Sequence, residues 1–156
     1  MREILFRGKR ADTGTWVNGF YEKYNDRTLI TCESDRVNSG GYPIRQFNDV
    51  SPETVGQYTG LTDKNGTRIF EGDIVADHYF PKKIGVVTFG TGSFDSGIYK
   101  YNGWTLKDIS GKVDHNELYL YEDDINQYEV IGNIYDRPCW LTGPNFVEDA
   151  NANITD

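Results

Sequence analysis

No stretch of this chain carries the 3.6-residue apolar period of a long amphipathic helix, and no segment repeats at a fixed interval. What recurs is a short run of β-branched and aromatic residues, closed about every ten residues by Gly, Asn or Asp. That spacing points to small sandwiches or barrels. Glu3-Ile4-Leu5-Phe6-Arg7 opens as a strand, and Asp12-Thr13-Gly14 reverses the chain. Trp16, Val17, Phe20 and Tyr21 lie in a second run, which Asn25-Asp26-Arg27 breaks. Thr28-Leu29-Ile30-Thr31-Cys32 makes a third, so a meander is expected. Residues 33–41 are polar, end in Ser39-Gly40-Gly41 and read as a loop. Ser51-Pro52-Glu53-Thr54 starts like a helix, but no helical period follows, which predicts a single turn.

Val55 to Leu61 is again extended. Asp63-Lys64-Asn65-Gly66 predicts a hairpin, with Asn-Gly suited to a type I′ turn. Arg68 to Ala76 reads as a strand with a bulge or bend at Gly72. Ile84 to Phe89 is a strand, Gly90-Thr91-Gly92 a turn, and Ser93 to Lys100 the return. Shorter runs follow at 103–106 and 118–121, and Tyr128 to Tyr135 is the last strand. The order Glu71-Gly72-Asp73-Ile74-Val75, then Gly85 to Phe89, then a Gly turn is typical of SH3-like barrels. The expected fold is therefore mainly β, as one domain over 1–141. It divides into an N-terminal β-subdomain at about 1–50 and a small SH3-like β-barrel over 55–137. Residues 142–156 are expected to form a flexible tail.

Composition narrows the function classes. The chain is 14% aromatic, with 11 Tyr, 8 Phe and 3 Trp, enough buried area to argue against overall disorder. No apolar run approaches the roughly 20 residues that span a bilayer, so no membrane association is expected. MREILFRGKR lacks the apolar core and cleavage site of a secretory signal, and a cytoplasmic location is expected. The net charge of −8 is unevenly placed: residues 101–156 hold 11 acidic and 3 basic side chains, and the first hundred residues are balanced. Such acidity argues against a generic nucleic-acid binder. It leaves room for a local basic patch at Arg2, Arg7, Lys9 and Arg10, whose ordinary reading is a solvated strand face. Cys32 and Cys139 are expected to be free thiols. With His78 and His115 they assemble no local zinc spacing, and no cofactor is expected.

Three segments together resemble the YopX family of phage and prophage proteins. They are Ile4-Leu5-Phe6-Arg7-Gly8, the block from Val55-Gly56-Gln57-Tyr58-Thr59-Gly60-Leu61 through Val75, and Tyr128-Glu129-Val130-Ile131-Gly132-Asn133-Ile134-Tyr135-Asp136-Arg137-Pro138. The resemblance implies a mainly β protein encoded on temperate phages and prophages. It brings no agreed catalytic residue and no established activity, so no catalytic, cofactor or metal position is carried over.

The residues themselves offer a few candidates. Asp63, Glu71 and Asp73 are near one another across the predicted hairpin, and paired carboxylates can do acid–base work or hold a metal. Turn and bend chemistry is the more ordinary use of the same residues. Glu122-Asp123-Asp124 with Asp114 and Glu117 lacks the alternating ligands and Gly of a calcium loop, which leaves a solvated acidic turn. No Walker A, Gly-x-Ser-x-Gly or His-Glu-x-x-His motif is present. Tyr79, Phe80, Tyr99, Tyr101, Trp104, Tyr119 and Tyr121 gather in the barrel half, where an aromatic face can bind ligands. Their nearby cations, Lys82, Lys83, Lys100, Lys107 and Lys112, are outweighed by acids. The leading expectation is a phage or prophage accessory protein acting as a self-associating protein-interaction module, a homo-oligomer or a binder of a host protein. The alternatives are a nucleic-acid-binding accessory protein and a metal-dependent hydrolase built on Asp63, Glu71 and Asp73.

Overall fold

The computed structural model describes residues 3–77, 84–94, 99–109, 117–119 and 128–136. They form eleven strands and one 3-10 turn. In chain order these are β1 (Phe6–Lys9), β2 (Trp16–Tyr24), β3 (Arg27–Val37), β4 (Pro43–Asp49), the 3-10 turn Pro52–Thr54, β5 (Gly56–Thr62), β6 (Arg68–Phe70), β7 (Asp73–Asp77), β8 (Ile84–Phe94), β9 (Tyr99–Asp108), β10 (Glu117–Tyr119) and β11 (Tyr128–Asn133). One sheet has the order β4-β3-β2-β1-β5-β6 and the other β10-β9-β8-β7-β11. The chain divides into two compact units, Met1–Gly60 and Leu61–Asp156. Among the described residues no helix is long and apolar enough to cross a membrane.

In the first unit, β1 to β3 are the expected antiparallel meander, and β4, not expected from the sequence, extends it by a fourth strand. Gly14 (φ 69°) and Asn25 (φ 52°) take the left-handed conformations that the first two reversals require. Leu29, Ile30 and Val50 are buried and give this unit its apolar centre. The Pro52–Thr54 turn is tied to β1, whose Lys9 N–H donates to Thr54 Oγ1 at 2.9 Å, while the Thr54 hydroxyl donates to the Ser51 carbonyl at 2.7 Å. The loop expected over 33–41 is shorter than the sequence suggests. β3 continues to Val37, Asn38–Gly41 makes the turn, and β4 follows. Most side chains of this outer hairpin are exposed on both faces, so no alternation of apolar and polar residues announces it.

The second unit is packed on both faces of its sheet. On one face Ile69, Val75, Val87, Leu106 and Tyr128 form a buried cluster, and Leu61, Trp104 and Val130 pack against it. On the other, Ile74, Ala76, Ile84 and Val86 are buried with Ile109, Ile131 and Ile134. All five residues of β7 are buried, as expected of a central strand covered on both sides. β11 pairs with β7 through a register shift between Val130 and Gly132.

The SH3-like barrel expected over 55–137 is not formed. Neither sheet closes on itself among the described residues; β5 and β6 belong to the first sheet, and β10 and β11 stand at opposite edges of the second. The reason is visible in β8 and β9. They pair without a register shift from Gly85–Asp108 to Phe94–Tyr99, a straight ladder without the bulges that coil a sheet into closure. Gly90-Thr91-Gly92, expected to turn, lies within that ladder, opposite Gly103, Asn102 and Tyr101. The expected tail, residues 142–156, lies outside the described residues.

The β2–β3 pairing depends on one close approach. A Cβ placed on Gly19 would sit 2.2 Å from the Thr31 carbonyl oxygen, a backbone atom that cannot step aside. Gly19→Ala is therefore expected to cost about 2 kcal/mol or more, as overpacking does. Gly90→Ala, whose added methyl meets nothing within 4 Å, is the matched control. Urea unfolding of both variants checks this; equal midpoints contradict the close packing of β2 on β3.

Candidate functional site

Two of the three carboxylates proposed from sequence, Asp63 and Asp73, accept backbone N–H groups. The turn after β5 is a type I turn followed by a left-handed glycine rather than the expected I′ pair. Gly66 N–H donates to the Asp63 carbonyl at 2.9 Å, Asp63 N–H to Thr67 O at 2.8 Å, and only Gly66 has positive φ (81°). Asp63 is 5% exposed. Its Oδ1 accepts from Asn65 N and Thr67 N, both at 2.8 Å, and its Oδ2 accepts from Val130 N on β11 at 3.0 Å. Beside it, Lys64 N–H donates to the Tyr128 carbonyl at 3.1 Å, and Lys64 Nζ lies 2.6 Å from Glu129 Oε2. Asp73 serves the next bend in the same way, its Oδ2 accepting from Phe70 N at 2.8 Å. Gly72 in that bend donates to Val87 O and accepts from Ile134 N. Asp63 and Asp73 thus hold separate backbone donors, and among the described residues no group of three or more His, Cys, Asp or Glu is placed to hold a metal ion. Glu71 lies in the bend, half-buried.

The feature with binding character lies elsewhere, on β2, β3 and β4. Register pairs Phe20 with Thr31 and Thr31 with Phe47, so the two phenylalanines flank a buried threonine on one face of the sheet. Phe20 is 64% and Phe47 58% exposed. Beside Phe20 lies a shallow cavity of about 240 Å³ lined by Phe20, Glu22, Thr31, Cys32, Glu33 and Arg45. At the β1 side the same face carries Trp16, with the Arg7 guanidinium 4.6 Å and Lys9 Nζ 5.5 Å from the ring centroid. Sequence reasoning singled out a different aromatic set, in the other half of the chain, and did not single out this pair as a face. The signal that locates them is the alternation Trp16, Phe20, Tyr24 along one face of β2.

The remaining candidates are spread apart. Of the basic cluster, Arg7 and Lys9 lie over Trp16, and Arg10 donates to both carboxylate oxygens of Asp12 at 3.0 and 2.9 Å. Arg2, His78, Tyr79, Phe80, Lys82, Lys83, Lys112, Asp114, His115, Tyr121, Glu122, Asp123, Asp124 and Cys139 lie outside the described residues. Tyr99, Lys100, Tyr101, Glu117 and Tyr119 are on strands. Trp104 packs edge-on against Phe89 at 5.0 Å beside the core. Cys32 is a free, half-buried thiol. Arg27 donates to both oxygens of Asp49, at 2.7 and 2.5 Å, and this holds the Asp49 carboxyl below its ordinary value.

The YopX protein family model matches residues 5–142. The chain belongs to the YopX family. The crystal structure of protein EF1440 from Enterococcus faecalis is similar, with a TM-score of 0.50, 22% sequence identity, and coverage of 90% of this chain and 99% of that one. At that identity the likeness speaks for the fold. No curated protein matches the chain. The two longest YopX-like segments meet in space: the 55–75 block supplies Asp63, Lys64 and Gly72, and the 128–138 segment supplies Tyr128, Val130 and Ile134 as their partners.

Two outcomes follow from this geometry. Asp63→Ala removes three bonds to a charged acceptor and strands the Val130 N–H; it is expected to destabilise by about 3 kcal/mol in thermal or urea unfolding, and an unchanged midpoint contradicts the structural assignment. The Asp49 carboxyl has a depressed folded value, so its contribution is present above the unfolded value of about 3.9 and is lost as pH falls through the folded one. In an NMR titration the Asp49 midpoint is lower in wild type than in Arg27→Gln; equal midpoints contradict the pairing.

Proposed function

We propose that this YopX-family chain is a self-associating protein-interaction module, an accessory protein of phage or prophage origin working in the bacterial cytoplasm. The observation that carries this reading is the exposed pair Phe20 and Phe47 on one sheet face, on either side of the buried Thr31 of β3. Two large aromatic side chains with most of their surface in water gain free energy when a partner covers them, and aromatic residues are enriched in such contacts. The commitment of Asp63 and Asp73 to backbone donors supports the same reading over a hydrolase. The phage or prophage origin rests on the YopX resemblance.

A second reading has its own observation. Trp16 beneath Arg7 and Lys9 pairs a stacking surface with cations, the two ingredients of single-stranded nucleic-acid binding. The chain's net charge of −8 weighs against it.

Size-exclusion chromatography with light scattering separates these. Self-association gives a mass above the 17.8 kDa of one chain that falls on dilution; a strict monomer at every concentration overturns it. Fluorescence anisotropy with labelled single-stranded DNA or RNA at low salt tests the second reading, which requires binding that weakens steeply with salt and on Trp16→Ala.

A further inference from the structure

The β2–β4 face is arranged in rows. The middle row is Phe20, Thr31, Phe47. Two residues along each strand to one side stand Asn18, Glu33 and Arg45; two residues to the other side stand Glu22, Leu29 and Asp49. The strand register agrees, pairing Glu33 with Arg45, Glu22 with Leu29, and Leu29 with Asp49. Side-chain contacts agree as well. Thr31 Oγ1 donates to Glu22 Oε2 at 3.3 Å, and five residues of these rows, Phe20, Glu22, Thr31, Glu33 and Arg45, line one cavity together with Cys32 between them.

The geometry points to a second copy of this chain as the occupant of this face, packed sheet on sheet about a two-fold axis that runs across the strands through Phe20 and Phe47. The inference rests on the self-association reading and adds its surface and its symmetry. Rotation about that axis sets each strand over its own copy and exchanges the flanking rows. Arg45 then faces Asp49 of the other copy, and Asp49 faces its Arg45, so the contact occurs twice, as an isologous interface requires. Asn18 meets Glu22, and Glu33 lies over the register position of Leu29, whose own side chain is buried, so within these three rows no like charges oppose one another. Phe20 and Phe47 each meet their own counterpart near the axis, where sheets about 10 Å apart leave room for interdigitated aromatic rings.

Charge also rejects the other two-fold arrangement. An axis parallel to the strands along β3 would set Glu33 over Glu33 and Glu22 over Asp49, two clusters of like charge. Edge-to-edge pairing of β4 is obstructed as well. The Asp49 carbonyl already accepts from Ala11 N–H at 2.9 Å, and Ser51 N–H donates to Lys9 O at 2.9 Å, so the end of β4 is covered by the chain that follows β1.

The test is a charge exchange between copies. R45D and D49K are purified separately and then mixed in equal amounts, with mass followed by light scattering. Alone, R45D opposes two acids and D49K two bases at both contacts, and each dimerises at least tenfold more weakly than wild type. In the mixture both contacts join opposite charges, and dimer returns to the wild-type level. D49K also removes the partner of Arg27, so circular dichroism melting checks that it folds, and F47D, at an exposed position, serves as an independent folded monomer. A monomeric wild-type protein overturns self-association itself. A dimeric wild type with R45D or F47D still dimeric, or with folded single variants that stay monomeric when mixed, overturns this surface and symmetry and leaves self-association standing.

Discussion

The second unit depends on one buried carboxylate. Asp63 closes its own turn with one oxygen and, with the other, satisfies the outward N–H of β11 at Val130. β11 is the edge of its sheet, where backbone groups facing away from β7 have no strand to pair with. The turn after β5 supplies the missing partners: Asp63 takes a donor, Lys64 N–H an acceptor, and the Lys64 side chain reaches Glu129. Residues 67 positions apart in sequence are thereby locked, and the edge is blunted against pairing with another chain. A neutral acceptor would make weaker bonds, since hydrogen bonds to a charged group are roughly twice as strong as neutral ones.

This arrangement gives the YopX-like segments a structural role in the fold. The 55–75 block and the 128–138 segment hold turns, bends and the bonds that join them. Gly66 supplies a left-handed residue, Asp73 caps Phe70 N–H, and the Gly72 carbonyl accepts from Ile134 N–H. A carboxylate inside such a block invites a catalytic interpretation. Its three backbone donors give it a structural one.

Much of the fold was legible because its signals are local. Asp12-Thr13-Gly14, Asn25, Ser51-Pro52 and Asp63 to Gly66 mark four reversals or turns, and the apolar runs between them became strands. Three things were not legible. The β3–β4 extension is exposed on both faces, so hydrophobic patterning is silent there. Gly90 and Gly92 look like a turn, yet pairing with β9 outweighs their local freedom. Whether a sheet closes depends on bulges and long-range register, which a single sequence does not display. The aromatic face was missed for a related reason: Phe20 and Phe47 are far apart in sequence and become neighbours only through β3.

The claim that Asp63 latches the turn to β11 is tested most directly at the bond itself, by hydrogen exchange of the Val130 amide in the wild-type protein. The account predicts that Val130 N–H, on an edge strand and facing away from β7, exchanges as slowly as the paired amides of β7 and β8, and that Asn65 and Thr67 are protected with it. A Val130 amide that exchanges at the rate of an open edge, while β7 and β8 stay protected, would contradict it.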